Sequence, residues 1–148
     1  MSKYDWDRLN PLQLGKCGEH FAKMEFALYG FHVYTSEVDD HGIDIVVRKD
    51  EKIYDVQIKS SRNWNYIFFL KDKFTPRKTL LAAVTLFFQG SAPELYLIPS
   101  SAWLKPNALL VSRNYVGKKS KPEWGLNLSP RNKPLLSHFV FGKIVVLL

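Results

Sequence analysis

The chain has 148 residues, 46% hydrophobic and 14% aromatic, enough apolar material to bury a core without disulfides or a structural metal, which excludes disordered and fibrous classes. Twenty-one Lys and Arg against fourteen Asp and Glu give a net charge of +7, a balance that points to an anionic partner. The charge is unevenly placed: residues 1–62 carry nine basic and eleven acidic side chains, residues 63–148 twelve and three.

Cys17 is the only cysteine, so no intrachain disulfide forms, and the polar and aromatic start lacks a secretory pattern; a cytoplasmic setting is expected. The longest uncharged stretch, Thr79 to Pro93, is too short to span a bilayer and is broken by Gln89, Gly90 and Ser91, so no membrane association is expected. No repeat or linker divides the chain, and one domain over 1–148 is expected. Seven of the eight prolines follow residue 75, which makes the second half loop-rich.

In chain order, Leu14, Cys17, Phe21, Met24 and Leu28 step by three and four, predicting a helix over about 11–29 with this stripe buried and Gly30 ending it. Lys16, His20 and Lys23 form a polar stripe beside it. Glu19 belongs to neither: its neighbours at helical spacing are Gly15, Ala22 and Phe26, a small and apolar face that another element can approach closely.

Three strands follow, over about 31–37, 42–48 and 52–60, with a charged turn between the last two. A turn centred between Asp50 and Glu51 pairs positions that sum to 101, so Asp44 faces Gln57, and Lys59 shares that side. Ile43, Ile45, Val47, Tyr54, Val56 and Ile58 make the opposite, core face. Asp-Glu is a poor type I′ dipeptide, and a three-residue loop would shift the register by one. Further on, 80–88 reads as a central strand covered on both faces, 94–98 as another strand, and Ser100 or Ser101 as the cap of a short helix through Trp103. A late strand over 123–128 and a short helix or turn over 132–139 complete an α/β or α+β chain with a mixed sheet.

Two carboxylates, an amide and a lysine on facing elements suit metal-assisted phosphodiester hydrolysis. Acidic oxygens hold a hard cation such as Mg²⁺, and a lysine orients the attacking water or offsets developing charge. Gly15-Lys16-Cys17-Gly18-Glu19, then Gly42-Ile43-Asp44, then Gln57-Ile58-Lys59 is similar in order and spacing to the PD-(D/E)XK nuclease superfamily, over about residues 12–61. The helix and Gly-Ile-Asp motifs resemble archaeal Holliday-junction resolvases. The Gln-x-Lys form resembles the small homing endonucleases of this fold encoded in cyanobacterial group I introns. The resemblance implies a restriction-endonuclease-like core, a mixed β-sheet flanked by helices. It also implies Glu19 and Asp44 as metal ligands, Gln57 as an amide ligand, the Ile58 carbonyl as a further one, and Lys59 beside the nucleophilic water, with Mg²⁺ as cofactor and Mn²⁺ able to substitute. The chain departs from the pattern in having no proline before Asp44 and in placing neutral Gln57 where the motif has an acid, which weakens the claim on a metal.

Each residue also has an ordinary structural role open to it: Glu19 in a helix salt bridge, Asp44 capping the turn after Gly42, Lys59 on a solvated strand end. His41, beside Asp39 and Asp40, is a weaker candidate base or ligand. His20, His32 and His138 lack zinc-site spacing, Cys17 reads as a buried structural thiol, and no nucleotide-binding motif is present.

The basic half is expected to be the DNA-binding surface, with phosphate-tracking lysines at Lys118, Lys119 and Lys121 and further contacts from Ser61, Arg62, Asn63, Arg77, Lys78 and Arg113. The expectation is therefore a site-specific, homing-type endonuclease on double-stranded DNA, with a motif core over 12–61 and DNA-binding elements over 62–148. Its rivals are a junction-resolving nuclease and an inactive DNA-binding module of the same fold. One active site per chain implies a homo-oligomer, dimer or tetramer, for cutting both strands.

Overall fold

A computed structural model describes residues 2–37 and 42–148; His41 lies outside the described residues. The elements in chain order are α1 (Pro11–Leu28), β1 (His32–Thr35), β2 (Ile45–Lys49), β3 (Lys52–Arg62), β4 (Ile67–Leu70), β5 (Leu80–Phe87), β6 (Glu94–Pro99), β7 (Leu110–Arg113), β8 (Glu123–Leu126), α2 (Lys133–Leu136) and α3 (Phe141–Val145), with short 3₁₀ turns between them.

Helix α1 begins in a reciprocal cap: the Asn10 side chain accepts the Gln13 N–H and the Gln13 side chain accepts the Asn10 N–H, both at 2.9 Å, with Pro11 at the first helical position. It ends before Gly30, whose φ of 90° lies in the left-handed region that glycine enters at little cost. The buried face is Leu14, Gly18, Ala22 and Phe26, rotated from the expected stripe. Met24 and Leu28 are 50% and 71% exposed, and Cys17 is only half-buried. Closeness of approach decides the face: a Cβ on Gly18 would sit 2.0 Å from Ser60 Oγ on β3, so the small-residue face seats the helix where bulkier side chains would hold it away.

Five strands form the main sheet in the order β1-β2-β3-β5-β6, with β3 and β5 parallel and the other pairs antiparallel. A smaller antiparallel sheet runs β4-β8-β7. The architecture is the expected mixed α+β sheet flanked by helices. The β2–β3 register also holds: Ile45 pairs Val56 and Lys49 pairs Lys52 around a two-residue turn. Asp50 enters that turn at φ 56° while Glu51 keeps φ negative, the sign pattern of a II′ turn and not the I′ turn for which Asp-Glu is poor.

All eight residues of β5 are buried. Its alternation divides the core. Leu81 and Ala83 join Ala22, Phe26, Ile45 and Val56 under α1. Leu80, Ala82, Val84 and Leu86 join Phe69, Trp103, Leu110 and Leu126 under the small sheet. Neither Ser100 nor Ser101 caps the 3₁₀ turn at Ser100–Leu104, which follows Pro99. Ser100 instead accepts the Arg77 N–H at 2.9 Å and donates to the Arg77 carbonyl at 2.8 Å. No helix among the described residues is long and apolar enough to cross a membrane.

Candidate active site

The β2–β3 ladder stops at Ile45 and Val56, and the chain before it turns across β3. The Asp44 N–H donates to the Val56 carbonyl at 3.0 Å, one residue out of ladder register. Its carboxylate accepts the Ile58 N–H at 2.7 Å. The expected face-to-face pairing of Asp44 with Gln57 is corrected accordingly: Asp44 meets the residue between Gln57 and Lys59. A strand residue sends its N–H and C=O toward the same neighbour, so the Ile58 carbonyl points toward the edge that Asp44 occupies.

Gln57 and Lys59 pair in register with Ala82 and Val84 and project from the sheet face covered by the small sheet. They line a recess of about 170 Å³ with Gly42, Phe68, Leu70 and Lys73. Gly42 holds φ 73°, and a Cβ there would lie 3.3 Å from the Gln57 amide; glycine lets the chain run close over Gln57. Gln57 Oε1 is buried with no hydrogen-bond partner among the described residues. An orphaned buried acceptor costs about 1–3 kcal/mol, a cost that a cation would remove. Lys59 extends to 5.9 Å from the Phe69 ring centre.

Glu19 is placed differently. Helix α1 covers the other sheet face, with Gly18 against Ser60 and Thr85, and Glu19 pairs with Lys23 at 3.1 Å and Lys16 at 3.4 Å. Burial works to raise the Glu19 pKa, but the Lys23 and Lys16 ammonium groups together outweigh it and hold the carboxyl below its usual value. The structure thus ties Asp44 to Ile58, sets Gln57 and Lys59 in one recess, and gives Glu19 partners on its own helix. No group of three or more His, Cys, Asp or Glu side chains suited to a metal occurs among the described residues. The oxygens on this stretch of chain, the Asp44 carboxylate, the Gln57 amide oxygen and the Ile58 carbonyl, are hard donors of the kind that suits Mg²⁺ or Mn²⁺.

Lys73 is a second cation in the recess. It also lines the adjoining one, about 250 Å³, with Ile43, Asp72, Thr75, Arg77 and Leu80. In the sequence it is one lysine of a cluster, and only the β4 turn, where its N–H bonds the Leu70 carbonyl at 3.0 Å, aims it here.

Two residues expected to contact DNA are engaged within the fold. Ser61 is 4% exposed, and its hydroxyl donates to the Asn63 carbonyl at 2.9 Å within the turn after β3. The Arg62 guanidinium donates to the Trp6 and Leu9 carbonyls and pairs with Asp7 at 3.5 Å, so it fastens the N-terminal segment. Asn63 is exposed in the left-handed region at φ 59°. Arg77 pairs with Asp55 at 2.6 Å and Lys121 with Asp72 at 3.4 Å. Arg113 lies 4.4 Å over the Tyr66 ring, and Lys78, Lys118 and Lys119 are exposed.

No family model and no curated protein matches the chain. A solved structure does: a Holliday junction resolvase from the archaeal hyperthermophile Archaeoglobus fulgidus, with TM-score 0.56 at 14% identity, covering 89% of this chain and 95% of that one. The chain has a resolvase-like nuclease fold.

Proposed function

We propose that the chain is a divalent-metal-dependent DNA endonuclease that hydrolyses phosphodiester bonds. The observation that carries this reading is the buried Gln57 Oε1, without a partner among the described residues, in one recess with Lys59 on the strand whose Ile58 N–H donates to the Asp44 carboxylate. Asp44, Gln57 Oε1 and the Ile58 carbonyl would hold the cation, and Glu19 is the further carboxylate that α1 contributes. When bound, Mg²⁺ or Mn²⁺ would lower the pKa of a water and polarise the phosphate. Lys59 orients that water and offsets charge developing on the phosphorus oxygens. Arg77, Lys78, Arg113, Lys118, Lys119 and Lys121, with Asn63, present the cationic surface for double-stranded DNA. A chain with one site cuts both strands as a dimer or tetramer. The enzyme acts in the cytoplasm.

Two finer readings rest on different observations. The Gln-x-Lys form supports a site-specific, homing-type enzyme, and the likeness to a resolvase supports action on branched DNA. Incubation with supercoiled plasmid, a synthetic four-way junction and a linear duplex, in Mg²⁺ or EDTA, tests all of this. Metal-dependent cutting that disappears in Lys59→Ala is expected. Cutting that survives in both Asp44→Ala and Lys59→Ala overturns the assignment, and binding without cutting in any divalent metal identifies an inactive DNA-binding module. Preference for the junction selects the resolvase reading.

A further inference from the structure

A row of stacked groups runs along the small sheet and ends in the recess that holds Gln57 and Lys59. Phe68 pairs opposite Gly125, and Leu70 opposite Glu123, so they share the face turned away from core residues Phe69 and Leu126. Tyr66 lies across that face. A Cβ on Gly125 would be 2.0 Å from its hydroxyl oxygen, so the glycine makes room for the ring, and the hydroxyl donates to the Glu123 carboxylate, which is buried at 6% exposure. Burial and the Glu123 carboxylate push the Tyr66 pKa far up, so the phenol stays a donor and the ring stays fixed. Arg113 covers one side of Tyr66 at 4.4 Å, and Phe68 stacks beside it at 6.4 Å with 23° between the planes. Phe68 is 44% exposed and lines the recess with Lys59 and Lys73.

An exposed aromatic ring held by a fixed neighbour and flanked by two lysines suits a group that is flat and apolar on a strand that is anionic. We propose that Phe68 is a stacking platform for an unpaired nucleobase next to the phosphate held at Lys59 and Lys73. This rests on the nuclease reading and sharpens it: the bound DNA has a base out of its stack beside the cut. Every base has a π-face, so such a platform adds affinity without reading sequence, by an amount that corresponds to a fivefold or larger change per base.

The test is equilibrium binding of the full chain, in EDTA, to a 12-nucleotide oligothymidylate and to a strand of equal length made of abasic sites. Wild type, Phe68→Leu, Phe68→Trp and Lys59→Ala are compared, with thermal melting to confirm folding. Phe68→Leu is expected to lose at least fivefold in affinity for oligothymidylate and nothing for the abasic strand, with an unchanged salt slope. Phe68→Trp is expected to keep the affinity, its indole emission falling as bases stack on it. Lys59→Ala is expected to weaken both strands equally. Equal losses on both strands in Phe68→Leu, or no loss on either, overturns the platform and leaves the nuclease reading in place. No binding of either strand by wild type also overturns the platform, while the nuclease reading stands or falls on the cutting of plasmid, junction and duplex.

Discussion

The carboxylate of Asp44 accepts the backbone N–H of Ile58 at 2.7 Å, so the residue just before β2 is fixed to the middle of the motif on β3. A hydrogen bond to a charged group contributes about 1.5–3 kcal/mol. Asp44→Ala is therefore expected to lose stability by about that amount and to abolish metal-dependent cutting. Asp44→Asn, which keeps an acceptor, should melt within about 1 kcal/mol of wild type and still fail to cut. Denaturant titration beside a plasmid-nicking assay separates the two effects.

Gln57 gives the site an oxygen without a charge. Gln57→Glu adds the missing negative charge beside Lys59 and is expected to lower the Mg²⁺ concentration for half-maximal cutting about tenfold or more, since hard cations bind more tightly as ligand charge rises. A Mg²⁺ titration of the cleavage rate checks this, and an unchanged midpoint removes Gln57 from the ligand set.

Glu19 has lysine partners and a lowered pKa. Its folded value lies below its unfolded one, so its pairs stabilise the protein at and above about pH 4.5, and that contribution disappears as pH falls through the folded value. Partly exposed helix pairs are weak, so Glu19→Gln should cost less than about 1 kcal/mol at pH 7, and progressively less as the pH falls below the unfolded value. Its cutting rate should nonetheless fall at least tenfold. Full cutting by Glu19→Gln would confine the residue to its lysines.

Arg62 and the lysines of the 117–122 loop should part company in a salt titration. Arg62→Ala removes the donors to Trp6 and Leu9 and is expected to cost about 1–3 kcal/mol while leaving the log–log salt slope of DNA binding unchanged. The triple change of Lys118, Lys119 and Lys121 to Ala should leave melting unchanged and lower the slope by about 0.9 per lost phosphate contact. An unchanged slope there takes these lysines out of the interface.

The hairpin was legible because a two-residue turn and period-2 alternation leave one pairing, which Ile45 with Val56 obeys. The helix face was legible only in part: the small, apolar side with Ala22 and Phe26 is the buried one, but the stripe of large apolar residues is the stronger pattern, and the close fit of Gly18 against Ser60 and Thr85 decides between them. Of the small sheet only β8 was legible, as the late strand at Glu123–Leu126; β4 and β7 are four residues each, too short for alternation to separate them from loops. Arg62 looked like a DNA contact because nothing local says that its guanidinium reaches Leu9, 53 positions back. Asp44 and Lys59 were recognisable by type and spacing; Lys73 and Phe68 depend on β4, which the sequence did not disclose.

Strand β5 has no face to spare: one set of its side chains belongs to the layer under α1 and the other to the layer under the small sheet. Loosening either layer strips β5 of half its surroundings, so the two should melt in one transition. The acidic and basic halves of the sequence meet in that strand's surroundings, so a chain cut at residue 62 is expected to leave neither half with a complete core.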